Sequence, residues 1–167
     1  MFSARAWSQE SCKLMTSKSL VTVNVCQQLE LSSVEDFVDC SEQQFVDIVN
    51  LCFAEYAPKQ TTIELCFMSE QQHCAAHEQF LNDSSATDVI AFPYNDEDCH
   101  GEVLVTVEMA VRRAPEFAHS AVHELMLYVV HGTLHLLGFD DHLPQDIEDM
   151  RVAEQNILQQ AIAHNIF

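Results

Sequence analysis

The chain has 167 residues, 48% of them hydrophobic, which is typical of one globular domain with a single core. Its formal net charge is −19, with 26 acidic residues against seven Lys and Arg. It therefore lacks the basic stripe that is usual in a sequence-independent nucleic-acid binder. No apolar run approaches the length that spans a bilayer, and no apolar signal segment opens the chain. We expect a cytoplasmic protein with no membrane partner.

Seven cysteines are scattered singly along the chain, without a C-x-x-C pair. An odd number of isolated cysteines argues against a disulfide framework and against a cysteine-type zinc site. We expect most of them to be small core residues.

The first residues differ in composition from the rest. Residues 1–19 are polar and contain three of the seven basic residues. We expect them to form a loose leader, followed by a single domain over residues 20–167. The β-branched, alternating residues 20–26 predict the first strand of that domain.

The middle of the chain alternates helical and strand patterns. Ser32 or Ser33 could cap a helix whose apolar residues run from 34 to 52 at helical spacing. Residues 61–68 predict a strand, and residues 70–81 suit a short helix.

The last part predicts two strands and two helices. The strands are expected at residues 89–92 and 102–107, joined by an acidic loop. Residues 117–137 are apolar almost all round, which predicts a long central helix. Pro144 is expected to open a last amphipathic helix. The fold class that follows is α+β: one domain, a small mixed sheet of about four strands, and helices packed on it around the central helix.

Three histidines in the motif H-G-T-L-H-L-L-G-F-D-D-H suggest a metal site. His131 and His135 are four residues apart, so a helix places both imidazoles on one face. Gly138 is a natural helix-ending residue, and the turn after it brings Asp140, Asp141 and His142 back towards the same ion.

Two helical histidines with a third nitrogen or oxygen ligand leave one position of a tetrahedral zinc open for water. Zinc lowers the pKa of that water to about 7, so His131 and His135 would act catalytically through the metal-bound water. Asp140 could hydrogen-bond a ligand imidazole and hold its tautomer. The expected cofactor is one Zn²⁺ per chain, although such ligand sets also accept nickel, cobalt or iron.

The residue after the first histidine separates two classes of zinc hydrolase. In H-E-x-x-H peptidases this residue is a Glu that serves as general base. Here it is Gly132, which counts against proteolysis.

The same motif carries a resemblance to a known family. It resembles the H-G-x-L-H-L-x-G-[YF]-D-H signature of the YbeY family, which are bacterial single-strand-specific endoribonucleases of ribosomal RNA maturation. T-D-V-I-A-F-P at residues 87–93, G-E-V-L-V at residues 101–105, and His119 with Ser120 and Glu124 are similar to further family segments, in the same order. The resemblance covers roughly residues 60 to 155.

The resemblance implies an α+β fold, one zinc ion and cleavage of single-stranded RNA near the 3′ end of small-subunit ribosomal RNA. It also implies a part in ribosome quality control, with the ribosome or ribosomal proteins as partners. Two alternatives stay open: a zinc peptidase or amidase, and a ribosome-associated binding protein whose zinc is only structural.

Two departures from the family pattern concern the site. The family's third His stands six residues after the second, where this chain has Asp141; His142 comes one residue later, so either could be the third ligand. Leu81 occupies the position of an Arg that many members carry before the T-D-V segment. Contacts with RNA would then rely on the metal, backbone amides, or Arg112 and Arg113.

The six remaining histidines are expected to be structural or surface residues: His73, His77, His100, His119, His123 and His164.

Overall fold

The structure is a computed structural model that describes residues 21–29, 34–94 and 99–167. The expected leader and the proposed capping residues Ser32 and Ser33 lie outside the described residues. Among the helices that are described, none combines the length and the apolar character needed to span a bilayer.

In the part of the chain that the structure describes, four strands form one mixed sheet: β1 (Val21–Gln28), β2 (Thr61–Met68), β3 (Val89–Pro93) and β4 (Cys99–Thr106). Their order across the sheet is β1-β2-β4-β3. The β1–β2 and β2–β4 pairs are parallel, whereas β3 runs antiparallel to β4. The predicted α+β class with a small mixed sheet is confirmed.

Within the described ranges, five helices accompany the sheet: α1 (Glu42–Tyr56), α2 (Glu70–Leu81), α3 (Val107–Arg113), α4 (Ala121–Leu136) and α5 (Pro144–Ala163). The predicted bounds of α2 agree with the structure, and Pro144 opens α5 as expected. Helix α4 is central, since it contacts α1, α3, α5, β3 and β4.

The first predicted helix begins later than expected. Val34–Asp36 forms only a single 3₁₀ turn, and α1 starts at Glu42. Ser41 precedes α1, and its backbone N–H donates to the Gln44 side chain at 2.6 Å. This capping arrangement sets the start of the helix, and the apolar residues before it belong to the preceding turn.

The predicted bounds of the strand at residues 102–107 and of the helix at residues 117–137 are wrong. Thr106 ends β4, and Val107 already belongs to α3, a short helix that the sequence analysis missed. Ala118 has a left-handed backbone with φ of 57°, which interrupts the helical path. Ser120 then caps α4 by accepting a hydrogen bond from the His123 N–H at 3.1 Å.

A close approach between α4 and β4 positions the histidine motif over the sheet. A Cβ atom at Gly132 would lie 2.4 Å from Cγ1 of Val103, which is fully buried on β4. Because a β-branched neighbour has little freedom to move away, a glycine is required at this contact. The helix therefore packs directly on the sheet at Gly132, whereas the side chains of His131 and His135 remain partly exposed.

Candidate metal centre and adjoining cavity

His131 and His135 converge on one side of α4. Their Nε2 atoms are 3.0 Å apart, and their rings meet edge to face, with the centroids 4.5 Å apart. Both side chains are partly buried, with 18% and 25% of their surface exposed. The spacing of one helical turn therefore brings two ring nitrogens to one point.

The turn after α4 adds an oxygen to these two nitrogens. Gly138 has φ of +91°, a conformation that favours glycine. Past this turn, Oδ2 of Asp141 lies 3.7 Å from Nε2 of His131 and 3.9 Å from Nε2 of His135. The three side chains form a group whose ligand atoms could hold one metal ion.

The structure leaves His142 outside this group, although its Nδ1 lies 3.6 Å from Oδ1 of Asp141. Its side chain is 82% exposed, and its Nδ1 pairs with Oδ1 of Asp140. Asp140 also accepts a hydrogen bond from the Asp141 N–H at 2.8 Å, so it acts within the turn. Asp140, Asp141 and His142 form a second group, and all three of its members are exposed. Asp140 therefore pairs with His142 and not, as expected, with the imidazole of His131 or His135.

Other groups hold the two helical imidazoles. Nδ1 of His131 donates to Oε1 of Glu154 on α5 at 2.6 Å, and Nδ1 of His135 donates to the carbonyl oxygen of Phe139 at 3.1 Å. Because each Nδ1 carries the proton, each Nε2 presents a lone pair. Two lone pairs that face each other at 3.0 Å repel unless a cation or a proton lies between them.

The distances within this group fit a zinc ion. Two nitrogens bound at 2.0–2.1 Å in tetrahedral geometry are about 3.4 Å apart. The observed separations of 3.0, 3.7 and 3.9 Å surround that value. The donor set, two imidazoles and one carboxylate, also suits zinc. The residues present therefore fit the implied metal.

Glu154 is a residue of the candidate site that the sequence did not indicate. It follows Ala153 on α5 and lies between Met150 and Ile157, which are both buried. A carboxylate within the apolar face of an amphipathic helix is a signal that could have found it, since an acidic residue is rarely buried without a partner. The burial of His131 lowers its pKa, but the hydrogen bond and the charge of Glu154 outweigh that effect and raise the pKa overall.

A cavity of about 230 Å³ runs along α4 and shares His131 with the group of possible metal ligands. His131 and Glu154 line its first end, and Arg113, Phe117 and His119 line the other. Its remaining lining residues are Asp88, Glu124, Leu127 and Tyr128. The carboxylate of Asp88 accepts hydrogen bonds from Val89 N–H and the Thr87 hydroxyl at 3.0 and 3.1 Å, as a turn-capping residue does.

The two arginines named above have different surroundings. Arg112 makes two hydrogen bonds to the Glu70 carboxylate, at 2.5 and 2.9 Å, whereas Arg113 lines the cavity. Leu81, at the position of the family's Arg, is 55% exposed at the end of α2 and does not line the cavity.

Comparisons with known proteins identify the family and agree with this fold. The family model of endoribonuclease YbeY matches residues 28–162. The endoribonuclease YbeY of Desulforamulus reducens is 30% identical over 149 residues, covering 83% of this chain and 95% of the relative. That of Acholeplasma laidlawii is 29% identical over 120 residues, covering 71% of this chain and 87% of the relative.

A solved structure is similar in fold. The solution structure of TM1509 from Thermotoga maritima superimposes with a TM-score of 0.57 and 22% identity, covering 86% of this chain and 91% of that one. At this identity the likeness concerns the fold alone. It agrees with the mixed sheet and the central helix described above.

Proposed function

The chain belongs to the YbeY family of endoribonucleases, which are hydrolases, and on this premise we propose that it is a zinc-dependent enzyme that cleaves single-stranded RNA. The observation that carries the proposal is the convergence of His131, His135 and Asp141, the first of which also lines the cavity along α4. We assign these three residues as the metal ligands, with Asp141 in the place of the family's third His.

The chain's own residues prepare this centre for hydrolysis. Glu154 and the Phe139 carbonyl hold the imidazoles in the tautomer that presents Nε2. Asp141 brings a negative charge that offsets part of the charge of a divalent ion. When bound, zinc supplies Lewis-acid chemistry, which polarises a phosphoryl oxygen and activates water near neutral pH.

The packing of Gly132 argues against peptidase chemistry of the H-E-x-x-H kind. In those enzymes the residue after the first histidine is a Glu that must face the metal. Position 132 faces the sheet instead, where even a Cβ would overlap Val103. A larger side chain at this position has no space, so that general base is not available here.

The natural substrate proposed here is precursor ribosomal RNA in the cytoplasm, cut near the 3′ end of the small-subunit RNA, with a further part in ribosome quality control. The support is the family resemblance of the motifs at residues 87–93, 101–105 and 131–140. With a net charge of −19, the chain has little positive surface of its own. We therefore expect ribosomal proteins or the ribosome to assist binding.

The test compares three substrates under one set of conditions. Zinc-loaded protein is incubated with a single-stranded RNA, with the same RNA in a duplex, and with casein, each with and without chelator. We expect cleavage of the single strand alone, its loss with chelator, and its return when zinc is added back. Casein cleavage would instead identify a peptidase. An inert protein that still sediments with ribosomes would indicate a binding module.

The ribosomal part of the proposal needs its own substrate. Small-subunit particles that carry 3′-extended RNA are incubated with the zinc-loaded protein, and the new RNA ends are mapped. Cleavage confined to the 3′ extension is expected. Cleavage spread over the RNA, or its absence in particles while free RNA is cut, would contradict the proposed substrate.

A further inference from the structure

The cavity end away from the metal centre is built from the segment that joins α3 to α4. Arg113 ends α3, a single 3₁₀ turn covers Ala114–Phe117, and the left-handed Ala118 precedes His119. A non-glycine residue in this conformation is strained and is held there by its surroundings. The strained residue turns the chain so that Phe117 and His119, on either side of it, both line the cavity.

Arg113 is the cation in this lining, and it has donors to spare. Its Nε lies 3.7 Å from Glu116, and its terminal nitrogens have no hydrogen-bond partner among the described residues. A guanidinium carries five N–H donors in a planar fork that matches a phosphate. Arg112 offers no such freedom, because Glu70 holds both of its terminal nitrogens.

Exposed aromatic rings stand beside this cation. Phe117 is 51% exposed, and the Arg113 guanidinium carbon lies 5.4 Å from the centre of its ring. The His119 ring lies 6.1 Å from that of Phe117 and 4.2 Å from that of His123. An exposed aromatic with a cation beside it is the combination that proteins use to stack bases of single-stranded nucleic acid.

Buried polar groups beneath these rings support a ligand site. Nδ1 of His119 pairs at 2.8 Å with Glu124, which is only 2% exposed. Tyr128 also lines this cavity, and its hydroxyl is buried beside the Glu124 carboxylate. This end of the cavity therefore has polar groups as well as aromatic rings in its lining.

We propose that Arg113, Phe117 and His119 form a nucleotide subsite next to the metal centre, in which one base stacks on the exposed rings and its phosphate pairs with Arg113. This inference rests on the proposed function, because it assigns the RNA that the centre would cleave. Glu124, which holds His119, lies seven residues before His131 on α4. The subsite and the metal centre are therefore about 10 Å apart along the helix axis. The subsite therefore receives a neighbour of the scissile phosphate.

The subsite also explains how an acidic chain without the family's Arg could hold RNA. Asp88, Glu124 and Glu154 line the same cavity as Arg113. These carboxylates repel a phosphate that enters the cavity. Binding of the phosphate therefore depends on the guanidinium of Arg113, which offsets this repulsion locally, more than on the net charge of the chain. Stacking adds affinity that carries no charge.

The test measures binding of the full chain to an eight-nucleotide single-stranded RNA. The variants are Phe117→Ala, Arg113→Gln and the matched control Arg112→Gln, which removes the same charge from the neighbouring position. Dissociation constants are measured over a range of salt concentrations, on chelator-treated protein so that the RNA stays intact. Thermal melting checks each fold, and Phe117→Leu serves if Phe117→Ala does not fold.

We expect Phe117→Ala to weaken binding about tenfold, as loss of one stacked base does. Arg113→Gln should weaken binding and make the logarithmic salt dependence shallower by about 0.7, the value for one phosphate of a single strand. Arg112→Gln should bind as the wild type does. A single abasic nucleotide is then moved through all positions of the RNA, and it should weaken binding about tenfold at one position only. With that abasic RNA, Phe117→Ala should weaken binding no further.

Other results would overturn the subsite. If Arg113→Gln and Arg112→Gln weaken binding equally, the effect is bulk charge and the subsite is wrong. If both cavity variants bind as wild type while zinc-loaded wild type cleaves RNA, the subsite fails and the proposed function stands. If wild type neither binds nor cleaves RNA, the proposed function fails and the subsite fails with it.

Discussion

Two histidine–glutamate pairs lie at opposite ends of the same cavity, and they are alike in their own geometry. Nδ1 of His131 contacts Glu154 at 2.6 Å, and Nδ1 of His119 contacts Glu124 at 2.8 Å. In each pair the carboxylate is the more buried partner. Each glutamate therefore sets the same tautomer and leaves Nε2 as the free atom of the ring.

The neighbours of the free nitrogen make the difference. Nε2 of His131 meets His135 and Asp141, which offer two further atoms that could bind a metal ion. The ring of His119 meets the rings of Phe117 and His123. A carboxylate-held imidazole is thus no metal site by itself, because the metal requires converging donors. The same pair among aromatic rings suits a base.

The largest expected effect comes from deleting one imidazole at each end. His131→Ala should lose stoichiometric zinc, since it removes one of three protein ligands. His119→Ala should keep one zinc per chain. Metal analysis after dialysis measures both. Equal zinc in the two variants would abolish the distinction between the ends.

The two glutamates give a smaller contrast. Glu154→Gln weakens the acceptor that orients His131, and such changes reduce metal affinity about 10- to 100-fold. Glu124→Gln, at the other end, should leave zinc affinity within about twofold of wild type. Competition with a chromogenic chelator measures both constants. A similar loss in both variants would show that cavity charge, rather than orientation of the ligand, sets the affinity.

The pH dependence of zinc binding follows from the raised pKa of His131. Zinc requires the neutral imidazole, so protons compete with the metal below this pKa, and affinity falls about tenfold per pH unit. Because Glu154 raises the pKa, the fall should begin at a higher pH than it does in Glu154→Gln. Titrations at several pH values measure the onset. The opposite order would show that Glu154 does not stabilise the protonated imidazole of His131.

The smallest effects are expected from two substitutions that add or remove one methyl group, Gly132→Ala and Ala118→Gly. Gly132→Ala forces a Cβ against Val103, and such overpacking costs about 1–3 kcal/mol of unfolding free energy. Ala118→Gly relieves the left-handed residue but adds flexibility to the unfolded chain, so stability should change by less than about 1 kcal/mol. Urea unfolding measures both. A neutral Gly132→Ala would mean that α4 can move away from the sheet.

The sequence predicted the parts of the fold that local patterns encode. The alternation of residues 61–68 gave β2, and Pro144 gave the start of α5. The start of α4 was misplaced because the apolar pattern continues through Phe117, whereas the break depends on a left-handed backbone at Ala118. Alanine gives no local sign of that conformation, so it comes from tertiary packing.

The site shows the same division between local and distant information. The spacing of His131 and His135 predicted their convergence, because both lie on one helix. The choice between Asp141 and His142 depends on the direction of the turn after Gly138, which spacing alone does not give. Glu154 comes from another helix, and its contact with His131 spans 23 positions in the sequence.

The position of the ion in zinc-loaded crystals tests the central claim most directly. Anomalous scattering at the zinc edge should give one peak per chain, within about 2.0–2.2 Å of Nε2 of His131, Nε2 of His135 and a carboxylate oxygen of Asp141. A peak bound by His142 in place of Asp141 would contradict the ligand assignment. A peak away from both helical histidines would contradict the whole account of the centre.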